Sequence, residues 1–127
     1  MKNPQELSYT RSHEWVRLEA DNTATVGLTD YAQHSLGDLV FVDLPAVGAE
    51  TEAGKPFANV ESVKAVSDVF CPVTGVVAEV NEALLDAPEK INEDPYGAWI
   101  ARIENVTGKE EMLTAEEYAL FVEAEEK

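Results

Sequence analysis

The chain has 127 residues, with nine Lys and Arg against 25 Asp and Glu, a net charge of −16 and 45% hydrophobic residues. That length suits one domain, and the apolar content supports a core without metal or disulfide staples. The charge argues against nucleic acid or an anionic membrane as partner, a single Cys71 excludes an intrachain disulfide framework and fits a reducing compartment, and no apolar run approaches the ~20 residues of a membrane span.

The first ten residues, MKNPQELSYT, lack both a signal-type apolar region and the Arg-rich look of a transit peptide, so a cytoplasmic protein is the expectation. The whole chain, 1–127, reads as a single domain with a core over about 8–105 and a terminal helix over about 114–126. The acidity has two readings: solubility, or steering of a carrier that meets several partners briefly.

In chain order, His13 to Leu18 is a first strand, followed by a turn at Ala20 to Asn22 and a second strand from Thr23 to Gly27. Asp30 with Gln33 three residues on resembles an N-cap and its partner, opening a short helix through Leu36 that Gly37 ends. Leu39 to Leu44 is a β-rich run closed by Pro45 and Gly48. Short strands at Phe57–Val60 and Ser67–Phe70 flank the segment Glu61 to Val66, and Gly75 to Val80 alternates like a half-exposed strand. A loop with Pro88, Asn92 and Pro95 leads to a last strand, Ala98 to Ile103.

The period then changes. Thr114 with Glu117 is a capping box, and Leu113 and Tyr118 hold the two positions of a hydrophobic staple. Ala115, Tyr118, Ala119 and Val122 fall at helical spacing, with Glu116, Glu117, Glu123 and Glu126 on other faces. An amphipathic helix docked on a β-domain follows, its acidic side in solvent. Two β-runs that each follow a glycine, after Gly37 and after Gly75, form a faint internal echo on either side of Lys64. Two related halves joined by a hairpin would set that lysine at the outermost point of a flattened barrel.

Lys64 is one of six lysines and sits among Val63, Ala65 and Val66, at a turn where Gly, Asn or Asp is the usual choice. Spacing alone leaves several readings open. One is a solubilising charge on a hairpin tip. A Schiff-base lysine needs desolvation or a nearby cation, whereas Glu61 and Asp68 act the other way. Covalent modification by a partner enzyme needs a projecting lysine on a tight turn with small neighbours, and a tethered arm there would raise the local concentration of its cargo.

The other notable residues read as structural. Trp15 and Trp99 suit the core, His34 suits an exposed helical position, and Cys71 beside Pro72 suits a buried small hydrophobe. His13 has no second histidine or cysteine spaced to make a metal site, and there is no Gly-rich phosphate loop.

The run VESVKAVSD over 60–68 resembles the lipoylation site of the glycine cleavage system H-protein family. Further matches follow in the family's order: Ser12 to Trp15, Val26 to Asp30, Gly37 to Pro45, Cys71 to Gly75 and Asn92 to Trp99. Biotin carriers usually flank their lysine with methionines, and lipoyl domains of 2-oxoacid dehydrogenases usually put Asp before it. Here the neighbours are Val63 and Ala65.

The resemblance implies a mainly β, barrel-sandwich hybrid of lipoyl-domain type with two quasi-symmetric halves, a short helix near 30–36 and a C-terminal amphipathic helix. It implies lipoic acid on Lys64 as N6-lipoyllysine, recognition by the lipoylating enzyme through Glu61 and Gly75, and shelter of the loaded arm by Ser12, Glu14 and Asp68. The implied partners are the pyridoxal-phosphate P protein (glycine decarboxylase), the T protein (aminomethyltransferase) and dihydrolipoyl dehydrogenase, around a monomeric, non-catalytic carrier. A lipoyl-relay protein serving other enzymes, and an interaction module that is never modified, are the alternatives. Tyr31 departs from the family's frequent histidine, and the 95–99 segment is one residue shorter than usual.

Overall fold

In the computed structural model, which describes residues 2–126, nine strands and four helices follow one another along the chain. Two short strands, β1 (Ser8–Tyr9) and β2 (Glu14–Leu18), precede β3 (Ala24–Leu28), α1 (Asp30–Leu36), β4 (Leu39–Asp43) and β5 (Glu50–Thr51). The hairpin of β6 (Lys55–Ser62) and β7 (Val66–Cys71) runs on through Pro72 into β8 (Val73–Val80). The one-turn helices α2 (Ala83–Asp86) and α3 (Lys90–Glu93) come next, then β9 (Ala101–Lys109) and α4 (Ala115–Glu125).

The strands form two antiparallel sheets, β1-β2-β3-β9-β8-β5 and β4-β6-β7, which stay open rather than closing into a barrel. The fold is mainly β, as expected, but the flattened barrel is a pair of open sheets. The strands after Gly37 and Gly75 belong to different sheets. Inward residues of both sheets, among them Val26, Val42, Val60, Val69, Val77 and Ile103, share one core, each contributing about 1.5–3 kcal/mol of burial. A second cluster of Leu7, Tyr9, Trp15, Leu113, Ala115 and Tyr118 seats α4 against β1 and β2.

Several boundaries differ from the sequence reading for identifiable reasons. The helix cap is Thr29, whose hydroxyl accepts from Ala32 N–H at 3.1 Å. Asp30 is instead the first helical residue and takes the Gln33 side chain at 2.8 Å. Gly37 does end the helix, at φ +82°. The stretch after Val80 and before the last strand holds α2 and α3, each too short to show a period. The last strand begins at Ala101 rather than Ala98 and runs to Lys109, because Ile100 is used in a loop bond to the Val26 carbonyl (2.8 Å). In α4 both capping-box bonds form, but Ala119 is exposed and Phe121 takes its place against the cluster.

Candidate functional site

Lys64 is exposed at the tip of the β6–β7 hairpin, and the tip is rigidly held. The Ser62 hydroxyl accepts from the backbone N–H of Lys64 (3.2 Å) and of Ala65 (3.0 Å), while Ser62 N–H donates to the Ala65 carbonyl at 2.8 Å. This is a serine-closed turn, made without glycine. A further bond from Val63 N–H to the Asp38 carbonyl (3.1 Å) ties the tip to the α1–β4 junction. The lysine stem leans over that junction: a Cβ placed on Gly37 would stand 3.6 Å from Lys64 Cε. Asn92 fixes the junction from below, donating to the Gly37 carbonyl (2.9 Å) and to Gln33 (3.1 Å) while accepting from Leu39 N–H (2.9 Å).

Val63 and Val66 beside the lysine are 71% and 68% exposed, a level at which apolar side chains add nothing to the fold. Glu61 is half-buried in register with Val66 on one side and Phe41 on the other.

From this corner a cleft of about 210 Å³ runs along α1. Its lower walls are apolar, from Leu28, Ala32, Leu36 and Val60, and its polar lining includes Ser35, Ser67 and Asp68. Tyr31 lies at the far end, where Ser12, His13 and Glu125 complete the lining. Seven helical residues span ~10 Å, so the cleft suits a short alkyl chain ending in a polar group. Among the described residues, no group of three or more His, Cys, Asp and Glu is placed to hold a metal, and no helix is long and apolar enough to cross a membrane.

Ser12 and Asp68 therefore line one cleft, while Glu14 does not. Glu14 is fully buried: Oε1 accepts from Thr10 (2.6 Å) and Ser12 (2.5 Å), and Oε2 from Phe70 N–H at 3.3 Å. Burial pushes its pKa up to about 7 against the lowering by these donors, with Glu110 adding a smaller upward push. It reaches the cleft only through the Ser12 hydroxyl.

The family model for the glycine cleavage H-protein matches residues 7–125. The chain belongs to the glycine cleavage H-protein family. It is 65% identical over 125 residues to the glycine cleavage system H protein of Lachnoclostridium phytofermentans, covering 98% of each chain. Identity is 56% to that of Rubrobacter xylanophilus, with 97% of each covered. The crystal structure of a glycine cleavage system H protein from Mycobacterium marinum superposes with a TM-score of 0.87 at 45% identity, over 91% of this chain and 95% of that one.

Gly75 lies in the other sheet from the hairpin that carries Lys64, on β8 at a register irregularity between Thr74 and Val76. A Cβ there would stand 2.6 Å from the Glu104 carbonyl oxygen and 2.7 Å from Ile103 Cγ2, so the strands can meet only over a bare Cα. Gly75→Ala is expected to cost about 1–3 kcal/mol through overpacking. Urea unfolding measures this, and a loss below a few tenths of a kcal/mol would refute it.

Sequence reasoning gave no part in the site to Ser62, Gly37, Asn92, Tyr118 or Glu125. Ser62 carried a local signal, a Ser two places before the tip. The contacts of His13 with Tyr118 and Glu125 come from more than a hundred residues away and carried none.

Proposed function

We propose that this chain is a non-catalytic carrier whose Lys64 bears lipoic acid in amide linkage. In this role it takes an aminomethyl group from the P protein to the T protein and is then reoxidised by dihydrolipoyl dehydrogenase. The observation that carries the reading is the placement of Lys64, exposed on a clamped hairpin tip with its stem beside Gly37, the neighbour of the cleft residue Leu36, in a chain of this family. A lipoyl group on Lys64 would supply a disulfide that is reduced as one sulfur takes the one-carbon cargo and the other becomes a thiol, and that is a dithiol once the cargo is handed on.

The chain's own residues position and shelter. Ser62 and Asp38 fix the point of attachment. Glu61 on the hairpin offers the lipoylating enzyme a landmark three residues before the lysine, and Gly75 contributes through the shape of β8. Leu28, Ala32, Leu36 and Val60 cover an arm laid along α1, and water has less access to cargo held there. Ser12 and Asp68 supply polar contacts to its end, and Glu14 supports Ser12 from beneath. Cys71 is buried, and burial pushes its thiol pKa up, so it does not compete with the arm's sulfurs.

Production of the chain beside a lipoylating enzyme tests this directly. Intact mass should show one lipoyl increment, absent from Lys64→Arg, and that variant should lose all transfer between the P and T proteins while unfolding at the same denaturant concentration. An increment that survives Lys64→Arg refutes the assignment.

A further inference from the structure

The segment from Asn92 to Trp99 takes no part in the carrier role above, yet its first residue holds the corner beneath Lys64. The whole amide of Asn92 is engaged there. Nδ2 donates to the Gly37 carbonyl (2.9 Å) and to Gln33 Oε1 (3.1 Å), and Oδ1 accepts from Leu39 N–H (2.9 Å). Gln33 is pinned in turn: its Nε2 donates to Asp30 Oδ1 (2.8 Å), and Asp30 Oδ2 takes the Lys2 N–H at 3.0 Å. Neither amide can therefore turn over without losing a bond.

The supports on either side are firm. Ile91, next to Asn92 in α3, is fully buried, and Leu39 at the start of β4 is buried too. Between α1 and β4 lie only Gly37 and Asp38. Gly37 stands at φ +82°, and a glycine is the point at which the backbone turns most freely. Asp38 passes the connection on, because its carbonyl accepts from Val63 N–H at 3.1 Å. The β4–β6 ladder is irregular between Leu39 and Phe41, just below the tip, so the ladder alone does not fix where the tip points. Ser62 sets the shape of the turn through bonds inside the hairpin. The Asp38 bond sets its direction, and Asn92 holds Asp38's neighbours on both sides.

We propose that Asn92 is a positioning residue for lipoylation, fixing through Gly37 and Asp38 the direction in which the hairpin presents Lys64 to the lipoylating enzyme. The inference rests on the carrier reading and adds the residue that aims the acceptor amine. In that reaction the neutral amine of Lys64 attacks the carbonyl carbon of a mixed acyl-phosphate anhydride of lipoate, made from ATP. The amide C–N bond forms, the bond from carbonyl carbon to phosphate oxygen breaks with its electron pair going to the phosphate, and the amine's proton goes to solvent. Attack needs nitrogen and carbon about 3–3.5 Å apart. The lysine stem starts from the tip and leans over Gly37, so both its root and its resting surface depend on this corner.

Asn92→Asp is the sharpest test. A carboxylate has the same shape and still accepts from Leu39 N–H, but it cannot donate, so it repels the Gly37 carbonyl and Gln33 Oε1. The tip then samples other directions. The enzyme must select the competent one, which weakens apparent affinity and leaves the bound complex as reactive as before. With purified lipoylating enzyme, lipoate and ATP, KM for the unlipoylated chain should rise about tenfold while kcat stays within about twofold. Amide exchange at Val63 should quicken by about the same tenfold as the Asp38 bond opens. Gln33→Met removes one of the three partners of Asn92 and should raise KM about two- to threefold. Ile100→Val weakens the core away from the corner and should leave KM at the parent value.

Unchanged KM in Asn92→Asp overturns the proposal, and so does a fall in kcat with KM unchanged. An equal rise in Ile100→Val also overturns it, because the effect would then be lost stability alone. If urea unfolding shows that Asn92→Asp does not fold, Gln33→Met decides, and an unchanged KM there overturns the proposal. The carrier reading fails separately, when intact mass shows that the parent chain takes no lipoyl group.

Discussion

Tyr118→Ala should detach helix α4 and lower the unfolding free energy by about 3–5 kcal/mol, the range for removing a large buried aromatic. Tyr118 is fully buried and stacks on Tyr9 with ring centroids 4.8 Å apart and planes 12° from parallel. Its hydroxyl lies within hydrogen-bond distance of Thr29 and His13, joining three separate segments of the chain. Truncation leaves both partners short of a bond in a region that water reaches poorly. The helix has 11 residues, below the ~12–15 at which isolated helices become marginally stable, so its capping box cannot hold it once the anchor is lost. Tyr118→Phe keeps the ring stack and should cost only about 1–2 kcal/mol. Urea unfolding with amide exchange across 115–125 measures both effects. Protection of α4 unchanged in Tyr118→Ala would show that Leu113 and Ala115 suffice to hold it.

The second large effect is pH dependence from Glu14. Its pKa is pushed from 4.5 to about 7 by burial, so the native state binds this proton more tightly than the unfolded chain. Stability is therefore highest below about pH 4.5 as far as this group is concerned, falls as pH rises through 7, and is level above that. The full change is about 3 kcal/mol. Glu110, half-buried and raised mainly by its own burial, acts in the same direction. Glu14→Gln should remove most of the slope and be more stable than the parent at pH 8, since an amide can accept from Phe70 N–H and donate to the two hydroxyls. Urea midpoints at pH 5, 6, 7 and 8 give the answer. A parent chain with the same midpoint at pH 5 and 8 would rule the effect out.

These two residues also mark the boundary between what the sequence discloses and what it hides. Tyr118 was legible because a capping box and staple are local patterns, complete within six residues. Glu14 was not: alternation on an edge strand predicts a solvated acid, but β1 and β3 flank β2, and Glu14, Trp15 and Val16 are all buried. The same limit explains β9, whose second half, Glu104 to Lys109, is too polar for the alternation rule yet completes its pairing with β8. Lys64 stood out by composition, and its hairpin and acidic neighbours were readable around it. The cleft beside it was not, because its walls come from segments as far apart as residues 12 and 125.

The serine-closed turn under Lys64 has a kinetic meaning in the proposed role. Because Ser62 and Asp38 leave the attachment point no freedom of its own, the moving part is the arm alone, sweeping a shell of fixed radius about a stationary pivot. The local concentration met by a docked enzyme is then a property of arm length, on the order of millimolar for a short flexible tether. It does not depend on how the loop happens to fluctuate. Each partner receives the same dose from the same origin, and a single stiff turn makes three different active sites interchangeable destinations.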